Sequence, residues 1–415
     1  MQTDDKKNFM SRRAHLFIAG TVAIDAIGIG ILAPIMPKLI EELTGEGLSR
    51  AAVYGGWLTA LFASVQFFVS PILGNLSDRF GRRPVLLPSL CAFGIAYLLM
   101  GLAPTISWFF VAQALAGAFG ATFSTAGAYI ADVTKPEERA RYFGIIGASF
   151  GVGLIFGPLI GGFLSVYGIR MPFFAAAFLA LCNVAYGLFV LPESLPPARR
   201  RSFEWRRANP VGALLHMRRY RMVFGLLGAM LLVQFIGVSL PATWPYFTME
   251  KFGWTPADVS LSLALYGVLN IVIQGGLMGY INSRLSTVGT VYLALAATII
   301  GYFGFAFGPH TWIVVAAIVP TAIGFMAMPG YSGLMSSQVP ANAQGDLQGA
   351  IASLNSVAAV IAPLAMTRLF SIFSGADAPI YFPGAPFVAA MLLAASSFLL
   401  AMRAVRKPAA ATAGP

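Results

Sequence analysis

Read for its alternation of apolar and polar positions, the chain falls into twelve long apolar runs separated by short polar breaks. The runs lie near residues 14–36, 51–73, 84–103, 107–131, 142–165, 172–192, 222–247, 258–281, 288–308, 311–335, 346–371 and 384–404. Each reaches roughly the 20 residues that a helix needs to cross a hydrocarbon core. Lipid cannot satisfy backbone polar groups, so each run predicts a helix that closes its own hydrogen bonds. The expected fold is an all-α membrane protein with twelve transmembrane helices.

Composition agrees with that pattern. Of 415 residues, 58% are hydrophobic and 10% charged, and the mean hydropathy is +0.76. An ordinary soluble domain is about one quarter charged. Lys6, Lys7, Arg12 and Arg13 ahead of the first run imitate a signal peptide. That run is too long for one and carries an aspartate at its centre, so it is expected to stay as the first helix.

The formal net charge of +11 changes meaning once it is located. With the N-terminus inside, 22 of the 27 Lys and Arg residues fall on inner segments, and only Lys38, Arg50, Arg170, Lys251 and Arg368 lie on or near the outer side. That bias predicts a multi-pass protein of the inner (cytoplasmic) membrane with both termini in the cytoplasm. The basicity is topological, and no nucleic-acid partner is expected.

The one long polar segment carries Arg199-Arg200-Arg201, Arg206-Arg207 and Arg218-Arg219. It divides the chain into an N-terminal six-helix bundle (1–192), a basic cytoplasmic linker (193–221) that is suited to anionic headgroups, and a C-terminal bundle (222–415). An internal repeat supports the division. At a constant offset of 205 residues, Gly74 matches Gly279, Arg79 matches Arg284, Pro104 matches Pro309, Gly144 matches Gly349 and Pro158 matches Pro363. Parallel six-helix repeats are the architecture of rocking transporters.

Several stretches carry a family likeness. The loop Gly74-Asn75-Leu76-Ser77-Asp78-Arg79-Phe80-Gly81-Arg82-Arg83-Pro84 resembles the signature of the major facilitator superfamily between its second and third helices. Gly153-Leu154-Ile155-Phe156-Gly157-Pro158-Leu159-Ile160-Gly161-Gly162 is similar to that superfamily's antiporter motif. Asp25-Ala26-Ile27-Gly28-Ile29-Gly30, Gly147-Ala148-Ser149-Phe150-Gly151 and Gln344-Gly345-Asp346-Leu347-Gln348-Gly349 resemble the tetracycline/proton antiporters. The likeness implies the major facilitator fold and secondary active export of an amphipathic, tetracycline-like drug in exchange for protons. An uncoupled facilitator, an exporter of another small molecule and a non-transporting membrane sensor are the readings that compete with it.

The tetracycline pattern is incomplete. Its helix-three aspartate falls at Ala96, its helix-four arginine at Gln113, its helix-eight histidine at Asn270 and its helix-nine aspartate near Thr298. Of the 16 acidic residues only Asp25 lies near the middle of a span, where a charge costs about 2.5 to 3.5 kcal/mol on insertion scales. Burial favours the neutral acid and wetting releases the proton, so Asp25 is the expected proton carrier. A neutral acid bonded to a helix backbone, or a substrate anchor, is the plainer reading. The repeat partner of Asp25 is Met230, so the coupling is expected to be asymmetric.

For gating, Gly74 and Gly81 are expected to allow close approach or a turn. Asp78, Arg82 and Asp132, with Arg79 nearby, are expected to form a charge chain at the inner mouth. Asp78 would also face the positive N-terminal end of the helix that begins near Asp346. Gly153, Gly157 and Gly161 form a smooth stripe suited to close helix packing, with Pro158 adding a bend. Such a stripe would either seal the pocket or simply pack.

Drug contacts are expected from Gln66, Gln113, Gln234, Asn270, Gln274 and Asn355, in the company of Tyr97, Trp244, Tyr246 and Tyr266. The competing reading of each amide is an interhelical hydrogen bond.

Enzymatic chemistry fares poorly. Asp25 has no evident nucleophile or histidine partner, Cys91 and Cys182 lie in apolar runs, and His15, His216 and His310 are far apart. No phosphate-binding loop occurs. No metal site and no cofactor are expected, except that a divalent metal would travel with a chelating cargo. The expected partners are the drug, protons and the lipid bilayer, and the expected state is a monomer.

Overall fold

The computed structural model describes residues 2–120, 122–201, 217–340 and 343–406. Among them there is no strand, and the helices follow in order: α1 (Gln2–Leu32), α2 (Met36–Thr44), α3 (Leu48–Phe80), α4 (Arg83–Leu102), α5 (Ile106–Phe119), α6 (Thr122–Val133), α7 (Arg139–Ser165), α8 (Met171–Val190), α9 (Arg221–Phe252), α10 (Pro256–Val272), α11 (Met278–Arg284), α12 (Thr287–Phe307), α13 (Thr311–Gly324), α14 (Ala327–Ser336), α15 (Gln344–Ser374) and α16 (Ala385–Arg406). Eleven helical stretches are long and apolar enough to cross a membrane. The remaining expected span, the fourth, is carried by α5 and α6 together.

The departures from an even set of rods have local causes. The fourth span breaks after Phe119, where Gly120 ends α5, and the tenth breaks after Gly324, so that α14 starts at Ala327. The eighth span passes through a π-turn, Ile273–Leu277, a local widening that is frequent at functional sites. The breaks in the fourth and tenth spans obey the 205-residue repeat, whereas α3 runs on unbroken where the counterpart of the π-turn falls. Gly120 corresponds to Phe325, and Pro71 inside α3 corresponds to Gly276 in the π-turn.

The helix α2 is a correction to the sequence reading, which left its residues in a loop. Pro37, Leu39 and Ile40 are buried on one face, and Lys38 pairs with Glu41 at 2.8 Å on the other. At nine residues it is too short to span.

Helix starts follow ordinary rules. Proline stands at the first turn of α2, α4 and α8, where its missing N–H costs nothing. The Ser286 hydroxyl caps α12 by accepting from the Gly289 amide at 3.1 Å.

The chain divides into two compact units. The first holds Met1–Glu46, Leu61–Arg207 and Thr255–Ala264, and the second holds Gly47–Ala60, Ala208–Trp254 and Leu265–Pro415. Each unit is thus largely one repeat, with the first part of α3 grouped with the second unit and the first part of α10 with the first. In the first unit α1 packs on α7 and α8, and α4 packs on α5 and α8. In the second, α9 packs on α15 and α16, and α12 on α13, α14 and α16. Of the basic linker, residues 202–216 lie outside the described residues.

Candidate functional site

In the first unit, the break in the fourth span brings polar groups to the middle of α1. The half-buried Asp25 is approached by Thr122, the first residue of α6, although that hydroxyl closes no well-aligned hydrogen bond. Tyr97 of α4 is 3% exposed and lies within electrostatic range of Asp25. Its hydroxyl packs against Gly28, three residues along α1.

Gln66 of α3 donates its amide to the Gly120 carbonyl at 2.7 Å. That carbonyl is freed by the end of α5, so Gln66 serves the break itself. Gln113 is 8% exposed, and its amide oxygen has no partner. Ala96 is fully buried, and Thr298 bonds its own helix at the Ala294 carbonyl. The positions where tetracycline antiporters carry charge are therefore neutral interior here.

The glycine stripe of α7 lies directly against the backbone of α1. A Cβ on Gly153 would meet the Ala23 carbonyl oxygen at 2.5 Å, one on Gly157 the Ile27 oxygen at 2.6 Å, and one on Gly161 the Ile31 oxygen at 2.7 Å. Pro158 packs on Gly30 from the same side. The stripe therefore grips α1 on both sides of Asp25. Gly74 differs from its expected role: it has open space around it and makes no close approach.

In the turn between α3 and α4, Arg82 is 9% exposed. Its guanidinium pairs with Asp78 at 2.6 Å and with Asp132 at 2.9 Å. It also donates to the Ser77 hydroxyl at 3.1 Å. Burial disfavours the cation, but hydrogen bonds and attraction from Asp132 and then Asp78 outweigh that and hold its pKa above the usual arginine value. Arg79 points outward over the Phe80 ring, 5.1 Å from its centroid, and takes no part in the chain. Asp78 belongs to the first unit and Asp346 to the second.

Glu193 was missed by sequence reasoning. Its carboxylate accepts from the amides of Arg82 at 2.8 Å and Arg83 at 3.2 Å, capping the start of α4, and from Leu195 at 2.9 Å. It lies against Gly81, whose φ of 111° is a turn conformation that a side chain would strain. The visible signal was a lone acid after Leu191-Pro192, just ahead of the arginine-rich segment. Thr122 was also missed, and the glycines 117 and 120 in mid-span were its signal.

In the second unit the candidates separate. Gln234 is 6% exposed. Asn270 donates to the Tyr266 carbonyl at 2.9 Å, and its amide oxygen has no partner. Gln274, in the π-turn, and Asn355 are exposed. Tyr246 is buried against Gly55, with its hydroxyl unpartnered. Tyr266 is half-buried. Trp244 corrects the sequence reading, because it is a packing residue. It is 2% exposed and sits among Phe305, Phe247, Phe387 and Trp254, with ring centroids 4.8 to 6.2 Å away.

The sequence pattern described as the Major Facilitator Superfamily matches residues 18–363. The chain belongs to that superfamily. This major facilitator protein is similar to the class C tetracycline resistance protein of Escherichia coli, with 37% identity over 87% of this chain and 90% of the relative. It is also similar to the class H tetracycline resistance protein of Pasteurella multocida, with 34% identity over 92% and 96%.

Its fold matches a bacterial homolog of the human lysosomal transporter Spinster in an inward-facing, unoccupied conformation. The TM-score is 0.76 over 96% of this chain and 97% of that one, at 16% identity. By its family and its curated relatives, the major facilitator chain is a multi-pass membrane transporter and not an enzyme.

Proposed function

We propose that this protein exports an amphipathic, tetracycline-like drug across the inner membrane in exchange for protons, by alternating access. The observation that carries the reading is Asp25. It is a carboxyl in the middle of a spanning helix, clamped by the α7 glycines and accompanied by the hydroxyls of Thr122 and Tyr97. Membrane-embedded acids mark proton relays. The similarity to tetracycline resistance proteins supports the drug class.

In this proposal Asp25 takes a proton when its site opens to the outer solution and loses it when the site is wetted from the cytoplasm. Within the first unit Gln113, whose amide oxygen has no partner, is proposed to meet the drug; within the second, Asn270, with its own unpartnered oxygen, and Gln234, Gln274 and Asn355 are proposed for the same task. The Asp78–Arg82–Asp132 chain stiffens the inner end of the first unit and gives way as the cytoplasmic mouth opens. A divalent metal, if carried, is cargo bound to a chelating drug, and the working unit is a monomer with both termini in the cytoplasm.

The test is purified protein in liposomes under an imposed pH gradient, with tetracycline and cationic amphipathic drugs offered in turn. Substrate-triggered proton movement is expected, together with uphill drug accumulation that Asp25→Asn abolishes. Drug flux that ignores the pH gradient would replace antiport with facilitated diffusion. Unaltered drug susceptibility in cells expressing the protein would favour a sensor.

A further inference from the structure

Five cations lie on or near the outer side of the membrane in the topology proposed above, and four of them are accounted for. Lys38 pairs with Glu41. Arg170 pairs with Glu42 at 3.2 Å and donates to the Ala103 carbonyl at 2.7 Å. Lys251 lies over the rings of Phe247 and Phe252, and Arg50 has a partner of its own. Arg368 has no ion pair, hydrogen bond or ring contact among the described residues.

This exposed arginine lines a cavity of about 350 Å³ in the second unit, together with Val53, Trp57, Leu364 and Thr367. The volume falls within the range of small-ligand pockets, about 300 to 1,000 Å³. Its floor is a tight crossing of α3 and α15, where Gly56 packs against Thr367 and the Pro363 carbonyl. About a turn further along the same two helices the Ser49 hydroxyl donates to the Ser371 carbonyl at 2.9 Å. The Thr367 hydroxyl is committed to the Pro363 carbonyl at 2.8 Å, which leaves Arg368 as the polar group free to bind a ligand.

Depth identifies the class of occupant. Arg368 lies six residues before the end of α15 and Trp57 nine residues after the start of α3, or about 9 and 13 Å along the helices at 1.5 Å per residue. At 33 and 31 residues α3 and α15 outrun the roughly 20 that cross a hydrocarbon core, so these positions near their ends fall by length at the headgroup boundary, where tryptophan is enriched. Arginine's planar fork suits phosphate oxygens in a bidentate pair. Trp57, 55% exposed, with Val53 and Leu364, forms an apolar wall beside it.

We propose that this groove is a binding site for an anionic phospholipid, with its phosphate on Arg368 and its upper acyl chain along Trp57, Val53 and Leu364. Such a lipid neutralises a charge that the helix otherwise carries uncompensated into the membrane, and it fills the seam where α3 meets α15. The assignment to the outer leaflet rests on the proposed topology; the site itself does not.

The full-length protein is reconstituted in vesicles whose two leaflets both contain phosphatidylglycerol bearing a photoreactive group high on one acyl chain. After illumination, peptides spanning residues 53–57 and 364–368 are quantified by mass spectrometry. Labelling of both is expected in the wild type. It should fall about fivefold or more in Arg368→Gln and be largely restored in Arg368→Lys, which keeps the point charge. Trp57→Ala should reduce labelling while leaving the arginine in place.

Equal labelling in Arg368→Gln overturns the proposal. So does loss of wild-type labelling on adding inorganic phosphate, which would make the site one for a free anion, or on adding tetracycline, which would make it a drug site. If Arg368→Gln does not reach the membrane, Arg368→Lys against Trp57→Ala decides: labelling unchanged in Trp57→Ala overturns the groove as the lipid's seat.

Discussion

The two repeats share a plan and differ at one helix, α7 in the first and α15 in the second. Gly153, Gly157 and Gly161 of α7 correspond at the 205-residue offset to Ala358, Ala362 and Met366 of α15. All three of the latter are buried, at 0%, 0% and 4% exposure. The first repeat sets α7 backbone against α1 backbone beside its single mid-span acid, whereas the second has side chains at the three matching positions of α15 and carries Met230 where Asp25 would be. The segments around Arg82 and Arg284 differ as well. Arg82 of the first is held by two carboxylates, whereas Arg284 of the second lies against the Tyr280 ring at 5.7 Å. One repeat thus carries a mid-span acid beside touching backbones, while its copy carries neither at the matching positions.

That contrast can be broken from either side. The largest effect is expected from Asp25→Asn, which should bring uphill efflux to background while drug binding survives. Transport in liposomes under a pH gradient, paired with equilibrium binding, checks it. Met230→Asp is the mirror experiment, and it should not rescue Asp25→Asn, because no α7-like glycine clamp awaits it.

Next in size is Gly157→Leu, whose side chain has no room against Ile27 and Gly30. Overpacking of this kind costs roughly 1 to 3 kcal/mol, and the melting temperature and surface expression should fall accordingly. Ala362→Gly, the reverse change in the other repeat, should cost only about the 1 kcal/mol of helix propensity. Equal losses at the two positions would erase the proposed difference in packing.

Asp132→Asn is expected to slow turnover several-fold without loss of expression, because Arg82 keeps Asp78 but loses its second anchor. Arg284→Gln, at the matching place in the other loop, should leave turnover near wild type. Stopped-flow transport rates separate the two.

The smallest effect is expected at Gln66→Ala, which removes one hydrogen bond to Gly120, worth about 1 kcal/mol. It should lower thermal stability slightly and slow transport modestly.

Much of this organisation could be read from residue order alone. Long apolar runs define spanning helices because lipid leaves the backbone no alternative, and the spacing of Gly153, Gly157 and Gly161 declared a close contact, though not its partner. What stayed hidden depended on tertiary placement. A break at Gly120 is invisible when the flanking residues stay apolar on both sides, so Thr122 could not be paired with Asp25. Glu193 lies 111 residues from the amide of Arg82 that it caps. Trp244 looked like a ligand-facing aromatic because composition does not distinguish an inward core from a cavity wall. Gly74 matched a motif, but a side chain there would meet no neighbour within 4 Å in this structure.

The paired interruptions of the fourth and tenth spans have an evolutionary corollary. A rod severed at mid-depth can be re-aimed on one face of the bilayer without disturbing the seal on the other. Mutants that broaden tolerance under antibiotic pressure should therefore gather around residues 117–122 and 324–327, where the geometry can change while the remaining architecture holds.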